Sequence, residues 1–447
     1  MTNEKYGLIG KTLVHSYSKE IHEALGRYQY QLFSLAEDAM PDFINARDFR
    51  GLNVTIPYKK DVIPLCDEVT DLARGIGAVN TLFWKNASGT GSSESISQED
   101  KILVGHNTDY EGFLFAASRA GIDFEGKGVL ILGTGGTSLM ARRAAADQNA
   151  AKIYIASRHP ETDPPSGSEI QDAGILSTVS YDQLPEIADS IDVIVNTTPV
   201  GTFPNNMQQV IRLKDFPGCQ AVIDVIYNPF KTALLLEAEK LGLKYTNGLP
   251  MLVAQATAAA GYFLGTPGAF QKENQRIIKA MKQQMGNIVL IGMPGTGKSL
   301  IGKLLAELTG KTLQDTDAKI EEEAKMTIPE IFEKEGEAGF RDRESAICKK
   351  LGKERNLIIA TGGGAILRPE NVDALRQNGT LVHITRSIDK LPTRGRPLSK
   401  NIETLKKMEA QRMSLYKAAA DITFRNNYTC SRKKLRQRVN TYILEKL

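Results

Sequence analysis

The sequence has little of several features that mark particular classes of protein. Only four cysteines occur in 447 residues, at positions 66, 219, 348 and 430, and they form no CxxC pair or metal-ligand spacing. We interpret them as thiols of a protein in a reducing cytoplasm, not as a disulfide framework or a metal site. No run approaches the about 18 uninterrupted apolar residues of a membrane-spanning helix, and the polar segment 1–5 lacks the apolar core of a secretory signal. Neither secretion nor membrane binding is expected.

A strong charge excess is also missing. Lysine and arginine total 56 and aspartate and glutamate total 52, which gives a formal net charge of +4. This balance does not support non-specific nucleic-acid binding, and we interpret the basic run 432–434 as a solvated helix face. The sequence does not fix the oligomeric state and leaves a homodimer open.

The length and the pattern of apolar runs predict several α/β domains. At about 100–200 residues per domain, the chain corresponds to about two to four domains. Apolar runs alternate with helical stretches, which predicts parallel sheets covered by helices. These runs are 6–9, 129–132, 153–156, 193–195, 221–225, 288–291, 357–360 and 381–384.

Two polar stretches interrupt this alternation of apolar runs and helical stretches. The helical stretch 271–284 separates two chemically distinct halves and is interpreted as a short helical linker. The stretch 88–101, rich in serine, glycine and acidic residues, lies between strand-like segments and is predicted to be a mobile hairpin loop.

The first half contains a glycine-rich turn typical of dinucleotide binding. Residues 133–138, Gly-Thr-Gly-Gly-Thr-Ser, follow an apolar run and open a helical stretch. Gly133 permits the tight turn, Gly135 lets the backbone approach a pyrophosphate, and the helix N-terminus receives the negative charge. Because Ser138 occupies the third glycine position, the motif alone leaves a purely structural turn open.

The residues after the next strand indicate which dinucleotide is bound. An acidic residue there would bond the ribose 2′-hydroxyl of NAD, whereas this sequence has Ser157 and Arg158. A serine and an arginine suit a 2′-phosphate, so the predicted cofactor is NADP(H).

The second half opens with a phosphate-binding loop. Residues 292–299, Gly-Met-Pro-Gly-Thr-Gly-Lys-Ser, follow the strand candidate 287–291 and precede a helix beginning near Leu300. In such a loop backbone N–H groups wrap the phosphates, Lys298 reaches the β and γ oxygens, and Ser299 ligates Mg²⁺. The motif predicts nucleoside triphosphate binding and leaves the phosphate acceptor open.

Four segments before the dinucleotide turn offer groups suited to a small polyhydroxylated acid. They are 15–18 (His-Ser-Tyr-Ser), 53–59 (Asn-Val-Thr-Ile-Pro-Tyr-Lys), 77–81 (Gly-Ala-Val-Asn-Thr) and 107–109 (Asn-Thr-Asp). Their hydroxyls suit a carboxylate, their amides and carboxylate suit ring hydroxyls, and the lysine suits general acid or base catalysis.

Together with 133–138, 196–201, 224–229 and 248–255, these segments resemble shikimate dehydrogenase over residues 6–265. The resemblance implies an α/β substrate lobe and a Rossmann NADP lobe. It implies substrate contacts by Ser16, Ser18, Thr55, Lys59, Asn80, Asp109, Tyr227 and Gln255. It implies cofactor contacts by Gly133, Thr134, Gly135, Gly136, Thr137, Ser157, Arg158, Thr197, Ile226 and Gly248.

The family's roles map onto these residues. The serine pair would hold the substrate carboxylate, and Thr55, Asn80, Asp109 and Gln255 would bind the ring hydroxyls. Lys59 matches the catalytic lysine, with Asp109 as its paired carboxylate, so that a proton reaches the carbonyl oxygen while NADPH delivers hydride. The family usually has proline where this sequence has Lys19, which bears on the rigidity of the loop and not on the hydroxyl contacts.

The second half resembles shikimate kinase over residues 287–425, a P-loop domain with a parallel sheet. The matching segments are 315–317 (Asp-Thr-Asp), 340–344 (Phe-Arg-Asp-Arg-Glu), 362–364 (Gly-Gly-Gly), 394–398 (Arg-Gly-Arg-Pro-Leu), and Arg412 with Tyr416. The resemblance implies ATP contacts by Gly295, Thr296, Gly297, Lys298, Ser299, Leu300 and Arg396. It implies shikimate contacts by Asp317, Arg341, Gly363 and Arg412, and Mg²⁺ contacts by Ser299 and Asp315.

In this family Asp317 would accept the proton of the attacking hydroxyl, and Arg341 and Arg412 would clamp the substrate carboxylate. Arg396 would close over ATP from a lid. The lid segment, 386–400, is shorter than expected for the family, so Arg394 and Arg396 compete for this role.

The two resemblances name consecutive reactions, reduction of 3-dehydroshikimate to shikimate and phosphorylation of shikimate. We therefore expect a cytoplasmic bifunctional enzyme of aromatic amino acid and chorismate biosynthesis. The expected domains are a substrate lobe (1–122), an NADP lobe (123–249), C-terminal helices with a linker (250–285) and a kinase domain (286–447). Alternatives are an NAD-preferring quinate or shikimate dehydrogenase, a different small-molecule or nucleotide kinase, and a ligand-binding regulator without catalysis.

Overall fold

The computed structural model describes residues 5–13, 16–86, 101–162, 174–391, 402–427 and 431–447. His15, Arg394, Arg396, Cys430 and the predicted loop 88–101, apart from Lys101, lie outside the described residues. The chain forms two compact units. Met1–Thr202 and Gln208–Met281 belong to the first unit, and Phe203–Met207 and Lys282–Leu447 belong to the second.

The first unit contains two six-stranded sheets. In the first, the strands lie in the order β2-β1-β3-β5-β6-β4. Strand β5 runs antiparallel to β3 and β6, while the other pairs are parallel, so this sheet is mixed. Its strands are β1 (Tyr6–Gly10), β2 (Tyr30–Ser34), β3 (Gly51–Val54), β4 (Glu68–Val69), β5 (Thr81–Asn86) and β6 (Lys101–His106).

The second sheet is parallel throughout, in the order β12-β11-β10-β7-β8-β9. Strand order reverses at β7, which is the place where doubly wound sheets bind ligands. Its strands are β7 (Gly128–Leu132), β8 (Lys152–Ser157), β9 (Leu176–Ser180), β10 (Val193–Asn196), β11 (Ala221–Asp224) and β12 (Lys244–Thr246).

The second unit contains one parallel sheet of five strands in the order β14-β15-β13-β16-β17. Its strands are β13 (Asn287–Ile291), β14 (Thr312–Asp315), β15 (Leu357–Ala360), β16 (Gly379–Thr385) and β17 (Ile422–Arg425).

Helices connect these strands in both units. In the first unit they are α1 (Ser18–Glu23), α2 (Ala39–Asn45), α3 (Asp71–Ile76), α4 (Asp109–Arg119), α5 (Gly136–Asp147), α6 (Leu184–Ile187), α7 (Ala233–Lys240) and α8 (Gly248–Phe263). The predicted linker contains α9 (Asn274–Met285). In the second unit they are α10 (Lys298–Thr309), α11 (Thr316–Ala324), α12 (Ile328–Lys353), α13 (Pro369–Arg376), α14 (Ile402–Ala419) and α15 (Arg432–Tyr442).

The central strands are buried on both faces, which explains their continuous apolar sequences. In β7, Val129 and Ile131 enter one hydrophobic cluster and Leu130 and Leu132 enter another. Strand β13 divides its residues between two clusters in the same way. The predicted α/β fold is therefore confirmed. No helix in the described ranges is long and apolar enough to cross a membrane.

Candidate active sites

A cavity of about 360 Å³ opens in the first unit where β1 and β3 end. The structure brings all eight predicted substrate residues to its wall. They are Ser16, Ser18, Thr55, Lys59, Asn80, Asp109, Tyr227 and Gln255. These residues are spread along the sequence from Ser16 to Gln255. Their convergence therefore depends on the fold and not on local sequence.

Lys59 and Asp109 form an ion pair in this cavity. The Lys59 Nζ lies 2.5 Å from the Asp109 Oδ2, and the two side chains are 21% and 14% exposed. Asp109 is the first residue of α4, where the helix dipole favours a negative charge, and its backbone N–H donates to the Asn107 side-chain oxygen. A lysine held in this way can exchange a proton with an oxygen atom in the cavity.

The orientation of the Asn80 side chain is set by its neighbours. Its Oδ1 accepts hydrogen bonds from the Thr108 backbone N–H over 2.7 Å and from the Thr81 hydroxyl over 2.9 Å. Both donors are fully buried residues. Because the amide oxygen is occupied, the Asn80 NH₂ group is the part that can donate to a hydroxyl oxygen of a ligand.

Sequence reasoning gave no role to Asn53 or Tyr30, which support this site. The Asn53 Nδ2 donates to the Asn80 carbonyl and the Thr81 hydroxyl, each over 3.2 Å. The Tyr30 hydroxyl donates to the Asn53 Oδ1 over 2.7 Å. Asn53 lies within a quoted motif, but only the pairing of Asn53 with Thr81 across β3 and β5 reveals its function.

The glycine-rich turn lies between β7 and α5. Gly133 has φ 100° and a Cβ there would lie 3.0 Å from the Thr198 Cγ2, so the turn requires glycine. A Cβ at Gly135 or Gly136 would meet no atom within 4 Å. This open, exposed backbone at a helix N-terminus fits a pyrophosphate, and Thr134 lies half-buried beside it.

Of the other predicted cofactor residues, Thr197 lies against this turn, where a Cβ at Gly133 would be 3.2 Å from its Oγ1. Thr137 also lines the substrate cavity, while the Thr197 hydroxyl donates to the Leu132 carbonyl over 2.7 Å. Gly248 begins α8 so close to β11 that a Cβ would lie 1.9 Å from the Val225 carbonyl oxygen. Ile226 is buried, and its backbone N–H donates to Asp224.

Ser157 and Arg158 differ in exposure. Ser157 is buried at the end of β8, and its hydroxyl oxygen accepts a hydrogen bond from the His159 N–H over 2.9 Å. Arg158 is exposed. Of the two, Arg158 presents the charge that suits a 2′-phosphate.

A second cavity, of about 430 Å³, lies in the second unit beside the phosphate-binding loop. It gathers most of the residues predicted for ATP, Mg²⁺ and shikimate: Gly295, Gly297, Lys298, Ser299, Leu300, Asp315, Asp317, Arg341, Gly363 and Arg412. The Thr296 side chain is buried within the loop, where its hydroxyl donates to the Met293 carbonyl over 2.9 Å. The Thr296 hydroxyl therefore stabilises the loop.

The phosphate-binding loop owes its shape to glycines with positive φ. Gly292, Gly295 and Gly297 have φ of 144°, 86° and 97°, which allows successive N–H groups to turn toward one centre. The Lys298 Nζ lies over this loop, 2.8 Å from the Gly292 carbonyl oxygen.

Ser299 and Asp315 form a pair that fits Mg²⁺. The Ser299 hydroxyl donates to the Asp315 Oδ2 over 3.3 Å. A hydroxyl and a carboxylate are oxygen ligands of the kind that Mg²⁺ uses beside a nucleotide. Within the described ranges, no group of three or more His, Cys, Asp or Glu residues could hold a metal, and Mg²⁺ bound to phosphates needs only one or two protein ligands.

Asp317 has the environment of a proton acceptor. Its Oδ1 is buried and has no hydrogen-bond partner in the part of the chain that the structure describes. Burial raises the pKa of Asp317 to about 6, and the negative charges of Asp315 and Glu344 act in the same direction. A hydroxyl group of a ligand would supply the missing donor.

Glu344 is a site residue that sequence reasoning missed. It is fully buried, and its Oε2 accepts a hydrogen bond from the Arg341 Nη1 over 2.7 Å. The sequence did carry a signal for this pair, because an acid three residues after an arginine on one helix can form an ion pair with it.

The glycine triplet 362–364 is explained by these side chains. A Cβ at Gly362 would lie 2.7 Å from the Asp317 Oδ1, and a Cβ at Gly364 would lie 2.1 Å from the Arg341 Nη1. The charged side chains can approach this backbone only because it carries no side chains of its own.

Comparisons with known proteins agree with this geometry. Residues 8–82 match the family model for the shikimate dehydrogenase substrate binding domain. The shikimate dehydrogenase (NADP(+)) of Caldicellulosiruptor bescii is 34% identical over 268 residues, covering 57% of this chain and 88% of the relative. The chain belongs to the shikimate dehydrogenase family. The remaining part also matches a known family, because residues 294–447 match the family model for shikimate kinase.

Solved structures resemble the dehydrogenase part. A chorismate mutase/shikimate 5-dehydrogenase fusion protein from Clostridium acetobutylicum is 31% identical with a TM-score of 0.54, covering 63% of this chain and 98% of its own. A shikimate dehydrogenase in complex with NADP⁺ is 29% identical with a TM-score of 0.52, covering 62% and 95%. Both predicted family resemblances, and the assignment of the chain as an oxidoreductase joined to a phosphotransferase, are confirmed.

Proposed function

We propose that this shikimate-pathway fusion reduces 3-dehydroshikimate to shikimate with NADPH and then phosphorylates shikimate with Mg-ATP. The proposal is carried by one observation: in each unit, all of the residues predicted to contact the substrate line a single cavity. We place the domain boundaries at 1–122, 123–249, 250–285 and 286–447.

In the dehydrogenase cavity, the hydroxyls of Ser16 and Ser18 would bind the substrate carboxylate. Asn80 would donate its amide N–H to a ring hydroxyl, because its oxygen is already bonded to Thr108 and Thr81. Lys59 would give a proton to the carbonyl oxygen as it becomes a hydroxyl, while Asp109 keeps the lysine in place. Thr55, Gln255 and Tyr227 would complete the contacts with the ring.

NADP(H) would be held by the turn at 133–137, with Arg158 on the 2′-phosphate and Thr197, Ile226 and Gly248 as further contacts. Of these three, Gly248 lines the substrate cavity. Bound NADPH would supply the hydride for the substrate carbonyl carbon. Thr137 lines the substrate cavity and also lies in the first turn of α5, so the two ligands would meet beside it.

In the kinase cavity, Arg341 and Arg412 would bind the shikimate carboxylate, and Gly363 would contact the substrate through its backbone. Asp317 would accept the proton of the attacking hydroxyl, because its buried oxygen needs a donor. Lys298 would contact the ATP phosphates, with Arg396 as the proposed lid residue. Mg²⁺ held by Ser299 and Asp315 would supply positive charge that offsets the charge on the transferring phosphoryl group.

The test is a coupled assay on the full chain. Supplied with 3-dehydroshikimate, NADPH and ATP, the protein should produce shikimate 3-phosphate, with one NADPH and one ATP consumed per product. Exchanging NADPH for NADH tests the NAD-preferring alternative, and oxidation of quinate with NAD⁺ or NADP⁺ tests the quinate dehydrogenase. Offering gluconate or a nucleoside monophosphate as phosphate acceptor tests the other kinases. Ligand binding without turnover in either half would favour a regulatory protein and refute the proposal.

Kinase activity should fall as the pH drops through about 6. Because the pKa of Asp317 is raised to about 6, the carboxylate becomes protonated below that value and can no longer accept a proton. We expect kcat/KM for shikimate to decrease about tenfold per pH unit on the acid side. The control is the pH profile of Asp317→Asn, whose residual activity should lack this acid limb. A wild-type profile that is flat between pH 5 and about 7 would contradict the role of Asp317 as base.

A further inference from the structure

One backbone carbonyl in the kinase cavity holds two side chains of α14. The Tyr416 hydroxyl donates to the Gly363 carbonyl oxygen over 2.5 Å. The Arg412 Nη1 donates to the same oxygen over 3.0 Å. Arginine and tyrosine are four residues apart, so they lie on the same side of the helix. The oxygen therefore has both lone pairs occupied by α14.

Tyr416 is held rigidly in this position. It is fully buried, and its ring stacks on that of His383 in β16 at a centroid distance of 4.8 Å and an interplanar angle of 16°. Burial lowers the pKa of His383 to about 4, so this partner is a neutral ring at neutral pH. Since the packing involves the ring alone, phenylalanine can replace it and only the hydrogen bond is lost.

The shared carbonyl connects Tyr416 to the proposed substrate contacts. The peptide unit is planar, so fixing the Gly363 oxygen also fixes the Gly363–Gly364 peptide that lines the cavity. The same oxygen anchors one end of the Arg412 guanidinium. The Arg412 Nε is buried and has no hydrogen-bond partner among the residues that the structure describes, which leaves a donor available for an anion.

We propose that Tyr416 is a positioning residue of the kinase site, which fixes the Gly363 carbonyl and, through it, the Arg412 guanidinium that receives the substrate carboxylate. This inference rests on the proposed function, in which Arg412 binds shikimate. Tyr416 does not itself line the cavity, so its effect on the substrate passes through the shared oxygen and through the Arg412 side chain, which also bonds the Tyr416 hydroxyl.

The test is Tyr416→Phe in the full chain. We expect KM for shikimate to rise about fivefold, the effect of losing one hydrogen bond that orients a ligand group. KM for ATP and kcat should not change, since the Lys298 Nζ donates to the Gly292 and Met293 carbonyl oxygens and the Ser299 hydroxyl donates to Asp315. Dehydrogenase activity of the same preparation gives the concentration of folded protein. Tyr442→Phe, at an exposed tyrosine of α15, is the matched control and should leave all kinase constants unchanged.

Arg412→Lys provides the second arm. If Tyr416 acts through the shared oxygen, adding Tyr416→Phe to Arg412→Lys should raise KM for shikimate much less than it does in the wild-type chain. Full additivity would overturn the inference. An unchanged KM for shikimate in Tyr416→Phe would also overturn it. A lower melting temperature with equal changes in kcat and in the KM values for shikimate and ATP would overturn it as well. Failure of the proposed function is distinguished by the wild-type protein, which would then consume no ATP in response to shikimate.

Discussion

Lys298→Met should lower shikimate-dependent ATP consumption by about 10³-fold, because it removes a preorganised positive charge from the site of phosphoryl transfer. The Lys298 Nζ lies over the phosphate-binding loop, within hydrogen-bonding distance of the Gly292 and Met293 carbonyl oxygens. Methionine has a similar length and no charge, so the loop keeps its glycine-determined shape. The measurement is ADP formation at saturating shikimate.

The same protein carries two controls for this variant. Dehydrogenase activity should stay at the wild-type level, because the substituted residue belongs to the other compact unit. Lys303→Met changes an exposed lysine on the same helix and should leave ATP consumption unchanged. Substantial kinase turnover in Lys298→Met would show that the loop is not the phosphate site, and loss of both activities would show that the two halves are not independent.

The fold could be predicted where local sequence determines burial. Strands β7, β10 and β13 are buried along their whole length and give continuous apolar runs that predict central parallel strands. The edge strand β2 was missed because three of its five residues are exposed, and the two-residue β4 carries no periodic signal at all. The predicted hairpin at 88–101 implies the antiparallel pairing of β5 with β6, whereas the antiparallel pairing of β5 with β3 was not predicted, because it depends on long-range contacts.

The candidate sites divide in a similar way. Local motifs could be identified without coordinates. They are the two glycine-rich turns, Lys298 in the phosphate-binding loop, and the ordered dehydrogenase segments. The supporting roles could not be identified in this way, since Tyr30 bonds Asn53 across 23 positions and Tyr416 bonds Gly363 across 53. Tyr416 belongs to a motif of the kinase family, but in both tyrosines only the fold shows which polar partner the hydroxyl reaches. Positioning residues are thus revealed by tertiary hydrogen bonds, whereas ligand contacts are marked by motifs.

Lys59→Ala should lower kcat for 3-dehydroshikimate reduction by about 10²–10⁴-fold, the range for loss of a positioned general acid. The lysine is the cation paired with Asp109 at the cavity wall, and its removal leaves the carbonyl oxygen without this proton donor. In the proposed binding mode Ser16 and Ser18 hold the substrate carboxylate without Lys59, so KM should change far less than kcat. The measurement is NADPH oxidation followed by absorbance, over a range of 3-dehydroshikimate concentrations.

The neighbouring lysine offers a matched control, because Lys60 is exposed and does not line the cavity. Lys60→Ala should keep the wild-type rate, and kinase activity should remain intact in both variants. An intact dehydrogenase rate in Lys59→Ala would refute the proton-transfer role, and a rise in KM alone would assign Lys59 to binding. Asp109→Asn distinguishes the roles of the two partners. If Asp109 mainly holds the lysine in place, this variant should retain more activity than Lys59→Ala. The reason is that the oxygen of the neutral amide can still accept a hydrogen bond from the ammonium group.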